Sequence, residues 1–283
     1  MPVLTERKID CHCHVIDPVQ FPYQAGTPYR PSGQEIAPYD HLLRIMALHG
    51  IEHALIVGTN SGYAHDSSIV LDALARGEGR FKGVAVVQND ITAADLRRLK
   101  SLGMAGVAFN APFNDPAAYA QTGELLGKLE DLDMMLQLQV KGDQLLQFMP
   151  LVEASGVRLV VDHCGRPAPE GGLDQPGFQA LLALGQAGRA SVKLSGFSQF
   201  SRQRYPYADT HGFVAALLAA FTPGRCMWGS DWPFLRATER IDYGPLLLLA
   251  DTLIPAEADR QRVLWDTPCR LFGFGKLPPV RAA

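Results

Sequence analysis

A chain of 283 residues with 47% hydrophobic content can bury a large core, either as one barrel-sized α/β domain or as two smaller units. Its 26 basic and 29 acidic residues are interleaved and leave a formal charge of −3, which excludes a basic stripe for nucleic acid and a polybasic membrane surface; a small molecule is the expected partner. No apolar run approaches the roughly 20 residues that span a bilayer, the start MPVLTERKID has no signal-peptide core, and five cysteines without a C-x-x-C pair make no disulfide framework, so a cytoplasmic location with reduced thiols is expected.

The first strand is expected at KIDCHCHV (8–15). The segment 16–38 that follows is rich in proline and glycine, is longer than an ordinary strand-to-helix connection, and carries Phe21, Tyr23 and Tyr29. Residues of that kind suit a loop packed over the mouth of a domain better than a solvated tail. Helical patterns then alternate with short β-branched runs. Helices are expected at 39–50, 66–77, 93–103, 122–132, 143–156, 178–188 and 211–221. Strands are expected at 53–59, 81–88, 106–110, 135–140, 158–164, 190–196 and 226–231. Several of the helical stretches end in glycine, which suits a helix C-terminus that needs positive φ. Eight strands alternating with helices, with no compositional break, predict an α/β fold: a single (β/α)8 TIM barrel over 1–283. A doubly wound sheet is the alternative, but the chain has no G-x-G-x-x-G and no Walker lysine after its first strand.

The stretch IDCHCHV raises the question of which pair does chemistry. Side chains alternate along a strand, so His12 and His14 share one face and Cys11 and Cys13 the other. The imidazoles are expected inside the barrel mouth and the thiols against the helices, with two satisfied core histidines as the bland alternative. Asp10 has the histidines' parity and lies deeper, where it could orient one of them. Three later strands also end in polar residues: His163 with Arg166 in VVDHCGRP, Lys193 and Ser195 in SVKLSG, and Asp231 in WGSDWP. In a barrel the C-terminal strand ends converge, so His12, His14, His163 and Asp231 are expected to meet. Asp162, one residue from His163, is expected to face the helix layer as an ion pair or cap.

The H-x-H pair, DHCGRP at 162–167, KLSG at 193–196 and WGSDWP at 228–233 together resemble the amidohydrolase superfamily, metal-dependent-hydrolase-like barrels. The likeness is to the branch that holds 2-pyrone-4,6-dicarboxylate lactonase and the sugar lactonases, and it runs from about residue 8 to TPCRLFGF at 267–274. It implies a hydrolase that opens a small lactone or cyclic ester, with a place in aromatic compound catabolism. Asp231 would activate water while His12, His14 and His163 polarise the carbonyl. Arg166 would grip a substrate carboxylate through a bidentate pair, against the ordinary alternative of a surface ion pair. Lys193 would bind a carboxylate or carbonyl, or neutralise a buried acid. Asn110 and Gln139 would also contact substrate; they stand where two-metal members need ligands, so a two-metal site is not expected. The cofactor expectation is none or one divalent zinc on His12, His14, His163 and Asp231, with metal-free catalysis ahead.

The chain departs from the pyrone lactonase at Ala108, where an arginine is expected, and at Gln139, where a tyrosine is. Unless Arg30, Lys141, Arg202 or Arg204 substitutes, a substrate with fewer charges follows. Two rival readings stand beside the lactonase: a zinc-dependent decarboxylase of a small aromatic or unsaturated carboxylic acid, and a barrel that only binds a ligand. A homodimer is a base-rate expectation for barrels of this size.

Overall fold

The computed structural model describes residues 2–27, 29–114 and 116–275. Eight strands, β1 (Ile9–Cys13), β2 (His53–Val57), β3 (Phe81–Ala85), β4 (Met104–Asn110), β5 (Met135–Gln139), β6 (Arg158–Val161), β7 (Ala190–Leu194) and β8 (Cys226–Trp228), pair in parallel in sequence order. The ring closes where the ends of β8 and β1 meet: Asp231 N donates to His12 O at 2.7 Å and His14 N to Trp232 O at 2.8 Å. Each expected strand is present, and the structure is a (β/α)8 barrel.

The interior is a single apolar cluster assembled by alternation. Ile9, Cys11, Leu55, Val57, Val84, Met135, Val160 and Met227 meet inside, while Ala54, Ile56, Leu159, Val161, Val192, Leu194 and Trp228 belong to the larger core between the strands and helices. Burying one such aliphatic side chain contributes about 1.5–3 kcal/mol. Trp265, Phe272 and Phe274 join the inner cluster from the chain's end, and the ring of His53, the first residue of β2, lies against two of them. The barrel is therefore packed at its N-terminal end, which leaves the other end for the site.

The expected helices are all present, at Tyr39–His49, Ser68–Arg76, Ala93–Ser101, Gly123–Asp131, Leu145–Glu153, Pro176–Gln186 and His211–Phe221. Tyr243–Leu253 adds the helix that follows β8. It is apolar on nearly every side, so it shows little amphipathic period for sequence reading to find.

One strand breaks the expected alternation. Asp10 pairs with Ala54 but Cys13 pairs with Ile56, so three steps on β1 face two on β2, the signature of a β-bulge. The extra residue places Cys11 in the inner cluster although Cys13 lies in the outer core, and the two thiols do not share a face. Asp10 is likewise not beneath the imidazoles. Its Oδ1 accepts from Ser230 N at 2.9 Å and His12 N at 3.0 Å, and its Oδ2 from Ser230 Oγ at 2.6 Å and Tyr243 OH at 2.9 Å. Asp10 thus pins the β8 turn to β1 through the backbone and does not orient a histidine ring. Burial pushes its carboxyl above the usual range, against the pull of these donors.

Candidate active site

Past the C-terminal strand ends lies a cavity of about 1240 Å³. All four residues expected to converge line it: His12 and His14 from β1, His163 after β6 and Asp231 after β8. Asp231 Oδ1 sits 3.6 Å from His12 Nε2, 3.6 Å from His14 Nε2 and 3.8 Å from His163 Nε2. Gln199, on the short helix Phe197–Phe200 after β7, donates to the other oxygen, Oδ2. Burial alone would raise the Asp231 carboxyl, but the surrounding imidazoles outweigh it and hold the group below the usual carboxylate range. It is ionised.

Each imidazole is held by its second nitrogen. His14 Nδ1 lies 2.7 Å from the Val57 carbonyl, which only accepts, so this nitrogen carries a proton and Nε2 faces the cavity. His163 Nδ1 lies 2.9 Å from Ser195 Oγ, a hydroxyl that can donate to it and leave Nε2 protonated toward the cavity. Burial, against the pull of Asp231, lowers His163 to about 3, and the ring is neutral. His12 Nδ1 faces both the Lys193 ammonium at 3.2 Å and Asp162 Oδ1 at 3.3 Å, so either tautomer finds a partner.

His163 reaches the cavity by a route that alternation does not describe. β6 ends at Val161, and His163 and Cys164 adopt φ of 51° and 57°. Strand parity places Asp162 inward with Val160, and the left-handed turn then brings His163 inward as well. Asp162 is accordingly not in the helix layer. Its Oδ1 is 3.1 Å from Lys193 Nζ and its Oδ2 accepts from Gln137 Nε2 at 2.8 Å, beneath His12. It is the buried acid that Lys193 neutralises, and Lys193, 0% exposed, also donates to Gln137 Oε1 at 2.6 Å. Burial opposes ionisation of Asp162, but Lys193 and His12 together keep its carboxyl below the usual range. Lys193 therefore supports the floor of the site and does not line the cavity, unlike Arg166, Asn110 and Gln139, which do.

Arg166 is held at φ 45° in the turn after His163, and its Nε and Nη1 are sealed from solvent with no partner. Gly196 makes room for the same turn: at φ +64° a Cβ there would lie 2.6 Å from His163 Nδ1. Sequence reading missed Gln137 and Gln199. Gln137 shares the parity of Gln139 and could have been found; Gln199 sits in a loop helix with no periodic signal. From the 16–38 segment, Ala25, Gly26 and Thr27 line the cavity.

The donor set suits a divalent metal. His12, His14 and Asp231 form one compact ligand group, and His12, Asp162 and His163 a second. A tetrahedral zinc with bonds of about 2.0–2.1 Å sets neighbouring donors roughly 3.3 Å apart, close to the 3.6 Å from Asp231 Oδ1 to each β1 imidazole. The two histidines from β1 and the aspartate after β8 thus fit such an ion with small adjustments.

Comparison with known proteins agrees with this geometry: the Amidohydrolase family profile matches residues 9–274. The chain belongs to the amidohydrolase family. It is 31% identical over 274 residues to a 4-sulfomuconolactone hydrolase of Hydrogenophaga intermedia, covering 93% of this chain and 88% of that one. It is 28% identical to a D-galactarolactone isomerase of Agrobacterium fabrum, covering 99% and 95%. A crystal structure from Acinetobacter baumannii, described as a probable 2-pyrone-4,6-dicarboxylic acid hydrolase with citric acid bound, superposes with a TM-score of 0.85 at 25% identity, covering 95% of this chain and all of that one.

Proposed function

We propose that this amidohydrolase opens a small lactone bearing a carboxylate, adding water to a cyclic ester to give the open hydroxy acid. The observation that carries this reading is the single carboxylate oxygen of Asp231 facing three imidazole nitrogens at 3.6–3.8 Å, on the floor of a large cavity that also holds an unpaired guanidinium. Ester hydrolysis needs a positioned water, an acceptor for its proton and a donor for the oxyanion.

The residues divide these tasks. Asp231 accepts the proton as water attacks the carbonyl carbon. His14, held through Nδ1 by the Val57 carbonyl, presents Nε2 to that water and orients it. His163, backed by Ser195, donates from Nε2 to the oxygen on which negative charge develops. When the ring C–O bond breaks, Asp231 returns its proton to the departing alkoxide, so one water is consumed and one hydroxy acid released. Arg166 holds the substrate carboxylate and fixes the ring's orientation, while Lys193 and Asp162 hold His12 from below. A zinc ion held by His12, His14 and Asp231 would supply Lewis acidity that lowers the pKa of water toward about 7 and so assists a weakly basic carboxylate.

Base consumption at constant pH over a panel of lactones, with and without a carboxylate, tests the reading. Acid release from carboxylated lactones, with KM raised about 100-fold in Arg166→Met, is the expected result; a charged hydrogen bond lost from such a grip is worth roughly 1.5–3 kcal/mol. Carbon dioxide release from aromatic acids without lactone opening would establish a decarboxylase instead, and ligand binding without turnover a binding protein.

A further inference from the structure

The carboxylate of Asp231 is surrounded closely but bonded sparsely. Its three imidazole neighbours stand 3.6–3.8 Å from Oδ1, beyond the roughly 2.7–3.2 Å of a nitrogen-to-oxygen hydrogen bond, so they supply charge and polarity but no directed bond. The main chain here is pinned. Asp231 N donates to His12 O at 2.7 Å, and Asp231 O accepts from Phe234 N at 2.9 Å, at a φ of 62°. What stays free is rotation of the side chain. Among the described residues one hydrogen bond reaches its carboxylate, from Gln199 Nε2 to Oδ2. A turn about Cβ–Cγ interchanges the two equivalent oxygens, so that single bond decides which of them the imidazoles and the cavity meet.

Gln199 is itself held from both directions. It lies in the short helix Phe197–Phe200, and both phenylalanines are buried in the core between the strands and helices. Gly196 precedes the helix at φ 64°, and its carbonyl accepts from Gln199 N at 2.9 Å. Past the helix, Asp209 closes the loop: its Oδ2 accepts from Arg202 N at 2.7 Å and its Oδ1 from Ser201 Oγ. The same segment begins with Ser195, whose hydroxyl bonds His163 Nδ1 at 2.9 Å. The stretch 195–199 after β7 therefore holds the proton acceptor and the oxyanion donor in one register.

We propose that Gln199 is a positioning residue of this reaction: its amide holds Asp231 Oδ2 and so presents Oδ1, amid the three imidazoles, to the attacking water. This rests on the lactonase reading and assigns the orientation of its base. An amide N–H only donates, so Oδ2 stays engaged as an acceptor while the proton of water passes to Oδ1 and the water oxygen bonds the carbonyl carbon. Gln199→Met keeps the length of the side chain and removes the donor. In assays matched for bound metal, kcat for lactone opening is expected to fall about 10–100-fold with KM within about threefold, because misplacing a reacting group by about 1 Å costs up to about 10²-fold in rate. The thermal midpoint is expected to stay within a few degrees of wild type, which separates positioning from a loss of fold. Gln199→Asn, an amide withdrawn by one methylene, is expected to show the same loss and serves if the methionine variant does not fold. A kcat loss below about tenfold in the folded variants, or a loss shared by kcat, KM and thermal midpoint alike, overturns the proposal. If the wild-type protein opens no lactone, the hydrolytic reading fails, and crystal structures of wild type and Gln199→Met still decide this one. An Asp231 carboxylate turned, or split between orientations, in the variant supports the role of Gln199; one that keeps Oδ1 among the three imidazoles refutes it.

Discussion

Replacing Lys193 by methionine keeps the length of the side chain and removes the ammonium that faces Asp162. Lys193 is fully buried, and the Asp162 side chain is 3% exposed, 3.1 Å away. After the substitution Asp162 keeps Gln137 Nε2 as donor but has lost its cation, and Gln137 Oε1 loses the ammonium that bonds it at 2.6 Å. Removing one partner of a buried pair costs about 3–5 kcal/mol, because the other charge is stranded. With roughly 2–4 °C of midpoint per kcal/mol in chains of this size class, the melting temperature is expected to fall by roughly 6–20 °C. The double variant Lys193→Met with Asp162→Asn leaves no stranded charge and is expected to regain more than half of the loss. Urea midpoints and thermal melts of wild type, both single variants and the double variant form the cycle. A Lys193→Met protein within about 1 kcal/mol of wild type, or a double variant no more stable than that single variant, would refute the buried-pair account.

Three further outcomes follow from the geometry. Asp231→Asn retains the shape of the carboxylate without its basicity, and kcat for lactone opening is expected to drop about 10²–10⁴-fold with KM within a few-fold; a drop below tenfold would remove Asp231 as the proton acceptor. Gly196→Ala places a methyl group against the His163 ring at a backbone angle of φ +64°, so steady-state assays are expected to show a loss in kcat larger than any change in thermal midpoint, and unchanged kcat would mean the ring does not act. The Tyr29 hydroxyl bonds both oxygens of Glu35 at 2.7 and 2.6 Å, and burial followed by that carboxylate pushes it up to about 12. Its folded pKa exceeds the ordinary value of about 10, so its contribution to holding the 16–38 segment is complete below about pH 10 and lost as pH rises through 12. Limited proteolysis across that window is expected to cut the segment only at the alkaline end in wild type and already at lower pH in Tyr29→Phe; identical profiles would dismiss the anchor.

The sequence by itself determined the barrel and the convergent set. Eight apolar runs alternating with amphipathic helices have few compact solutions, and in a closed parallel barrel the strand ends must meet, so His12, His14, His163 and Asp231 could be gathered from positions more than 200 residues apart. Only the tertiary structure decided which way the neighbours of those residues face. Strict alternation assumes an unbroken strand, and two local departures defeat it: the bulge in β1 turns Cys11 inward and Asp10 outward, and the left-handed turn after β6 lets Asp162 and His163 both point into the barrel. Neither departure leaves a periodic trace, because each spans only one or two residues and is fixed by contacts with elements distant in sequence: Ser230 and Tyr243 on Asp10, Lys193 and Gln137 on Asp162. The unpaired guanidinium nitrogens of Arg166 are invisible in sequence for the same reason, since a polar atom is recognisably unsatisfied only once every neighbour that could have bonded it is in place.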